Sequence, residues 1–222
     1  GQIVIGTRRT ARNITMRVRP DGLHVTVPPY SKTEKVMATL ETFRERLLEQ
    51  YRKVEIRPID FSYAIRTACF RLWLEPSPLK CFTLKQTGEG ICICCPADVD
   101  FSCEQVQKLV RAAILRALKK SAGSYLPPLL EALAERYGFS YRKVKITGAR
   151  SRWGSCSAAG TISLSCYLML LPPHLMDYVL LHELSHTKEM NHGPRFWELL
   201  DSLTEGKALS LRAELRNYRP AF

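Results

Sequence analysis

The sequence predicts an α+β protein: a β-rich first part, then a mostly helical metal-binding part carrying a small antiparallel sheet. Three observations predict it. Short runs before residue 100 alternate apolar and polar positions, the period of strands. After residue 101 the apolar positions recur at helical spacing. The helical part also holds His182-Glu183-Leu184-Ser185-His186, whose spacing suits metal ligation. The expected subdomains are therefore 1–100 and 101–222.

Ile3-Val4-Ile5, Ile14 to Val18 and Leu23 to Val27 read as strands, with Asp21-Gly22 as a hairpin turn. One helix is expected from Thr33 to Tyr51, with Ser31 and Glu34 as a capping box. Strands follow at Phe70–Leu74, Cys81–Lys85 and Gly90–Cys95, separated by turns at Glu75–Pro78 and Thr87–Gly90. Ser102 and Gln105 form a second capping box, opening a helix that runs through Leu118. A separate helix is expected from Pro127 to Tyr137, stopping at Gly138. Lys143–Thr147 is a strand, and Thr161–Cys166 is its expected antiparallel partner. Pro172 and Pro173 suit the start of the helix that carries the two histidines. A further helix is expected from Pro194 to about Glu205.

Four helical residues turn through about 400°, so His182 and His186 leave one face a turn apart. Glu183 lies beside that face and can reach a metal-activated water without ligating the metal. The apolar run Met176–Leu181 places the pair in a core. A third ligand is needed. His192 lies six residues after His186, about 600° on in a continuous helix, so the helix must end before it. Asn191 and Gly193-Pro194 supply residues that end helices. Glu205 and Glu198 are the alternatives; His192 is preferred because three histidines form a common catalytic zinc set.

Ser151–Ser157, Gly160–Leu164, Tyr178–His186, Asn191-His192 and Arg195-Phe196-Trp197 together resemble the YgjP-like metallopeptidase family of bacterial predicted metal-dependent hydrolases. That family is similar to the SprT-like proteases, which act on DNA-linked proteins. The dense match covers Arg142 to Trp197, with a looser one at Arg12–Val18. The resemblance implies a zincin-like catalytic part, one catalytic zinc ion at His182, His186 and His192, and Glu183 as base. One departure is Ser165, where the family often carries asparagine.

The chain has 222 residues, 45% hydrophobic and 24% charged, which is ordinary for a globular protein. No apolar run is long enough to span a bilayer, and Gly1–Arg9 holds no signal-peptide hydrophobic stretch, so a cytoplasmic protein is expected. Cys92, Cys94 and Cys95 sit in an apolar run that reads as a buried strand using cysteine as a small apolar residue. Free thiols agree with a reducing compartment. The net charge is +12, with basic clusters at Arg8–Arg19 and Arg142–Arg152. Such a surface attracts polyanions, although no nucleic-acid module accompanies it.

These readings converge on a zinc-dependent hydrolase of peptides or proteins, in which Glu183 is the general base. Arg152, Trp153, Tyr167 and Arg195 are candidate substrate or transition-state contacts, and His174 is a further candidate charge stabiliser. Two alternatives stand beside it: a metal-dependent phosphohydrolase acting on nucleotides, and a basic nucleic-acid-binding protein with a structural zinc.

Overall fold

The computed structural model describes residues 2–19, 22–53 and 58–219. Its contacts divide the chain into two compact units, Gly1–Pro58 and Ile59–Phe222. The division falls well before the boundary expected at residue 100. The reason is a shared core: Leu72, Leu74, Ile91 and Ile93 of the second sheet are buried in one cluster with Val110, Ile114 and Leu118 of the long helix.

The first unit holds β1 (Gln2–Thr7), β2 (Thr15–Arg19) and β3 (Gly22–Val27). β3 is central, parallel to β1 and antiparallel to β2. Asp21 of the expected hairpin turn lies outside the described residues; Gly22 opens β3 and abuts the Gln2 carbonyl too closely for any side chain. Val25, Val27 and Val36 form a small core. The expected single helix is two, α1 (Thr33–Thr42) and α2 (Arg44–Lys53). The Thr39 and Thr42 hydroxyls donate back to the carbonyls of Lys35 and Ala38, which weakens the helical ladder before the break at Phe43. The capping box does not form, because the Ser31 hydroxyl donates to the Pro28 carbonyl instead.

The second unit begins with β4 (Ala64–Arg66), β5 (Arg71–Ser77), β6 (Thr83–Gln86) and β7 (Ile91–Pro96), in the order β4-β5-β7-β6. β5 extends through Pro76 and Ser77, where a turn was expected. β7 is the buried strand predicted: Cys92 and Cys95 are buried, and burial pushes their thiols up to about 12 and about 11. All eight cysteines are free.

The two helices expected beyond residue 102 are one, α3 (Glu104–Tyr137), with Pro127 and Pro128 inside it. An interior proline costs about 3 kcal/mol. The buried row Ile114, Leu118, Ala122, Leu126, Leu130 and Ala134 continues across the prolines without a phase shift. Burying a Leu or Ile contributes about 1.5–3 kcal/mol, so the row outweighs the lost backbone bonds. The second capping box also fails: the Ser102 hydroxyl donates to the Asp100 carboxylate at 2.6 Å. α3 ends, as expected, at Gly138, which adopts a left-handed conformation with φ of 64°.

The last sheet contains β8 (Lys143–Thr147), β9 (Gly154–Cys156) and β10 (Thr161–Ser165). β10 runs parallel to β8, not antiparallel as expected. Its antiparallel partner is β9, a short strand hidden in the Ser-Arg-Trp-Gly-Ser stretch. β9 turns back through Ser157–Gly160, so β10 regains the direction of β8. The 3-10 helix Cys166–Leu170 then leads to α4 (Pro173–Ser185), α5 (Pro194–Leu203) and α6 (Ala208–Leu215). No described helix is long and apolar enough to cross a membrane.

Gly138→Ala should destabilise the protein by about 1 kcal/mol, the cost of a Cβ in the left-handed region. No atom crowds that position, so the loss isolates backbone conformation. Denaturant unfolding measures it, and Gly138→Asn should lose less.

Candidate metal centre

α4 starts at Pro173, where a proline costs no hydrogen bond, and buries Leu175, Met176, Leu180 and Leu184. This anchors His182, Glu183 and the following turn. The helix stops at Ser185, six residues before Asn191, near which the sequence places its end, with His186 in helical geometry at its C-cap. Local hydroxyls end it: Ser185 donates to the Leu181 carbonyl and Thr187 to the Leu184 carbonyl. The chain then reverses over 186–193, where the Gly193 amide donates to Asn191, and α5 opens at Pro194.

This reversal returns His192 to α4. His182, His186 and His192 each place a ring nitrogen within 4.8 Å of the others. His182 Nε2 and His192 Nε2 are 3.0 Å apart. Ligands of a tetrahedral zinc at about 2.0–2.1 Å lie about 3.3 Å apart, so the set has the right scale. His186 Nδ1 donates to the Glu189 carbonyl at 3.1 Å, which fixes the tautomer and leaves Nε2 as a lone-pair donor. Burial, reinforced by His186 and His192 and then Arg212, pushes His182 down to about 3; burial also lowers His186. Both are therefore neutral at pH 7, the form that binds metal.

Phe196 is the floor beneath all three rings. It stacks with His186 at 4.6 Å and meets His182 and His192 edge-on at 4.9 and 4.7 Å. Phe196 belongs to the hydrophobic core. It is fully buried there, and the floor is the same packing viewed from the site.

Glu183 is only 5% exposed, and its Oε2 has no hydrogen-bond partner. Burial pushes its carboxyl up to about 8, opposed by the Arg152 guanidinium. A buried acid of this kind ionises when a cation sits beside it. Three imidazoles beside a buried carboxyl fit a cation by chemistry as well as spacing. A Cβ on Gly154 would lie 2.5 Å from Glu183 Oε1 and 2.7 Å from Cδ. The glycine of β9 therefore makes room for the carboxyl. A glycine inside a strand marks close approach, but only once β9 is known to be a strand.

β9 is the edge of its sheet. Trp153 and Ser157 bond main chain to β10, which leaves the amides and carbonyls of Gly154 and Cys156 on the open edge. Arg152, Trp153, Gly154 and Ser155 line an adjoining cavity of about 250 Å³. A second cavity, about 330 Å³, lies beside His186 and is lined by Tyr141, Arg142, Ser157 and Met190.

The other candidates fall elsewhere. Tyr167 is buried in the core, with Arg150 6.0 Å from its ring centroid. Arg195 is exposed on the first turn of α5. His174 donates to Glu214 at 2.8 Å, two turns before His182. Glu205 is exposed and paired with Lys207, and neither it nor Glu198 joins the histidines among the described residues. Ser165, at the departure from the family pattern, caps the 3-10 helix and donates to the Ala149 carbonyl.

Residues 12–218 match the YgjP-like metallopeptidase domain, and the chain belongs to that family. No curated protein matches it. Among solved structures it is similar to the crystal structure of the metallopeptidase zymogen of Pyrococcus abyssi abylysin, with 26% identity over 40% of this chain and 90% of that one, at a TM-score of 0.37.

Gly154→Ala should push Glu183 or β9 aside and destabilise the fold by about 1–3 kcal/mol, an overpacking cost. Thermal unfolding checks it. An unchanged melting temperature would mean that the contact relaxes freely.

Proposed function

We propose that this protein is a zinc-dependent peptidase with His182, His186 and His192 as ligands and Glu183 as general base. The observation that carries this reading is the convergence of three imidazoles beside a buried carboxyl whose free oxygen has no partner. Membership of a metallopeptidase family supports it.

When bound, zinc supplies Lewis acidity, bringing the pKa of a bound water to about 7 and stabilising developing negative charge on a scissile carbonyl. The protein's own groups do the rest. Glu183 Oε2 accepts a proton from the attacking water and delivers it to the leaving nitrogen. Arg152 favours the ionised form of Glu183. The open main-chain groups of Gly154 and Cys156 hold an extended peptide along β9, as strand addition does elsewhere. Arg152 and Trp153 flank that track and contact the substrate. The Glu189 carbonyl holds His186 in its ligating orientation. The reaction takes place in the cytoplasm in this reading.

A second reading, hydrolysis of nucleotides, draws on the basic Lys143 and Lys145, which alternate with the core-facing Val144 and Ile146 on β8. One experiment separates the two readings: metal analysis with turnover of a mixed peptide and nucleotide panel. Glu183→Gln should retain zinc and lose about 10²–10⁴-fold in peptide turnover. Nucleotide turnover lost in that variant, with no peptide cleaved by the parent, would replace the peptidase reading. His192→Ala should bind zinc much more weakly than the parent; full zinc occupancy there would exclude His192 as a ligand.

A further inference from the structure

His192 differs from the other two histidines. His182 and His186 project from a buried helix and its cap, whereas His192 is exposed on the reversal between α4 and α5. His186 is oriented by a carbonyl acceptor. His192 is held mainly by rings. Its imidazole meets Phe196 edge-on and stacks on Trp197 at 6.0 Å with planes 30° apart. Trp197 is itself covered: the Arg212 guanidinium of α6 lies 5.0 Å from its ring centroid. Tryptophan is the best ring for a cation, and the flat guanidinium suits that face.

α6 is fixed at both ends. The Ala208 amide donates to Asp201 Oδ1 of α5 at 3.0 Å. Near its other end, Glu214 accepts from His174 in the first turn of α4 at 2.8 Å. The last helix thus bridges the two helices that carry the site, and Arg212 projects from its middle. An exposed, unrestrained imidazole loses rotamer freedom when it ligates. A stack that already limits the ring lowers that cost, as an outer hydrogen bond does for other ligating histidines.

We infer that Trp197, clamped by Arg212, is a positioning residue for His192, so that α6 sets the metal affinity of the site. The inference rests on the proposed ligation by His192. Arg212 supplies a decisive sign. Its positive charge lies over the ring that stacks on His192. By charge alone, removing it would tighten binding of a cation. As a clamp, removing it loosens the third ligand and weakens binding.

The test is a competitive zinc titration of the full chain against a chromophoric chelator, with stopped-flow zinc release and apo-protein melting as companion readouts. Trp197→Ala should weaken zinc binding roughly 10–100-fold, the usual effect of losing an outer partner. Trp197→Phe should restore most of that loss, because a ring remains. Arg212→Gln, at an exposed position, should weaken binding less than Trp197→Ala and speed zinc release without changing apo melting. Added to Trp197→Ala, it should cause no further loss. Trp73→Phe, in the β4–β7 sheet, should bind zinc like the parent. Unchanged or tighter binding in Arg212→Gln overturns the inference, even if Trp197→Ala fails to fold. A parent that binds no zinc, or His192→Ala binding as tightly as the parent, overturns the underlying ligation and the inference with it.

Discussion

Glu183 lies against Gly154 with no space for a Cβ between them, and the site depends on this approach. It joins a buried helix to the edge of a sheet. On the helix side, Leu180 and Leu184 lock α4 into the core, so Glu183 has a single direction. On the sheet side, β9 is held through the bonds of Trp153 and Ser157 to β10. The strand therefore crosses beside the carboxyl with its open edge available. A side chain at position 154 would separate the base from the strand that holds the substrate in our reading.

The electrostatics follow from the same burial. Water is excluded from one flank of His182 and from Glu183, so that imidazole stays neutral and the carboxyl resists ionisation. Each departure is unfavourable for an isolated group. Together they describe a pocket that a divalent cation would relieve, by taking the imidazole lone pairs and by compensating the carboxylate. Phe196 packs against all three rings.

Much of this was legible in the sequence, for identifiable reasons. The HELSH spacing puts His182 and His186 on one helical face with Glu183 beside it, through helix geometry alone. His192 followed from the need for a third ligand and from the helix-ending residues around it. The position of the break was misjudged because Ser185 and Thr187 end the helix by bonding back to carbonyls, a local competition that apolar periodicity does not register. The same competition hid the break at Phe43. Pro127 and Pro128 read as a helix start, and only the buried row across them shows that packing overrides proline. β9 is too short to read as a strand, so β10 was paired with β8 in the wrong direction. Arg212 and Trp197 were invisible as partners because their contact joins two helices across a turn.

The central claim is that three histidines and no other protein side chain hold the metal. X-ray absorption spectroscopy on the zinc-loaded protein tests it most directly. The account predicts a shell of three imidazole nitrogens at about 2.0–2.1 Å and one further light-atom ligand. A sulfur scatterer at about 2.3 Å, or a shell with only two imidazoles, would contradict it.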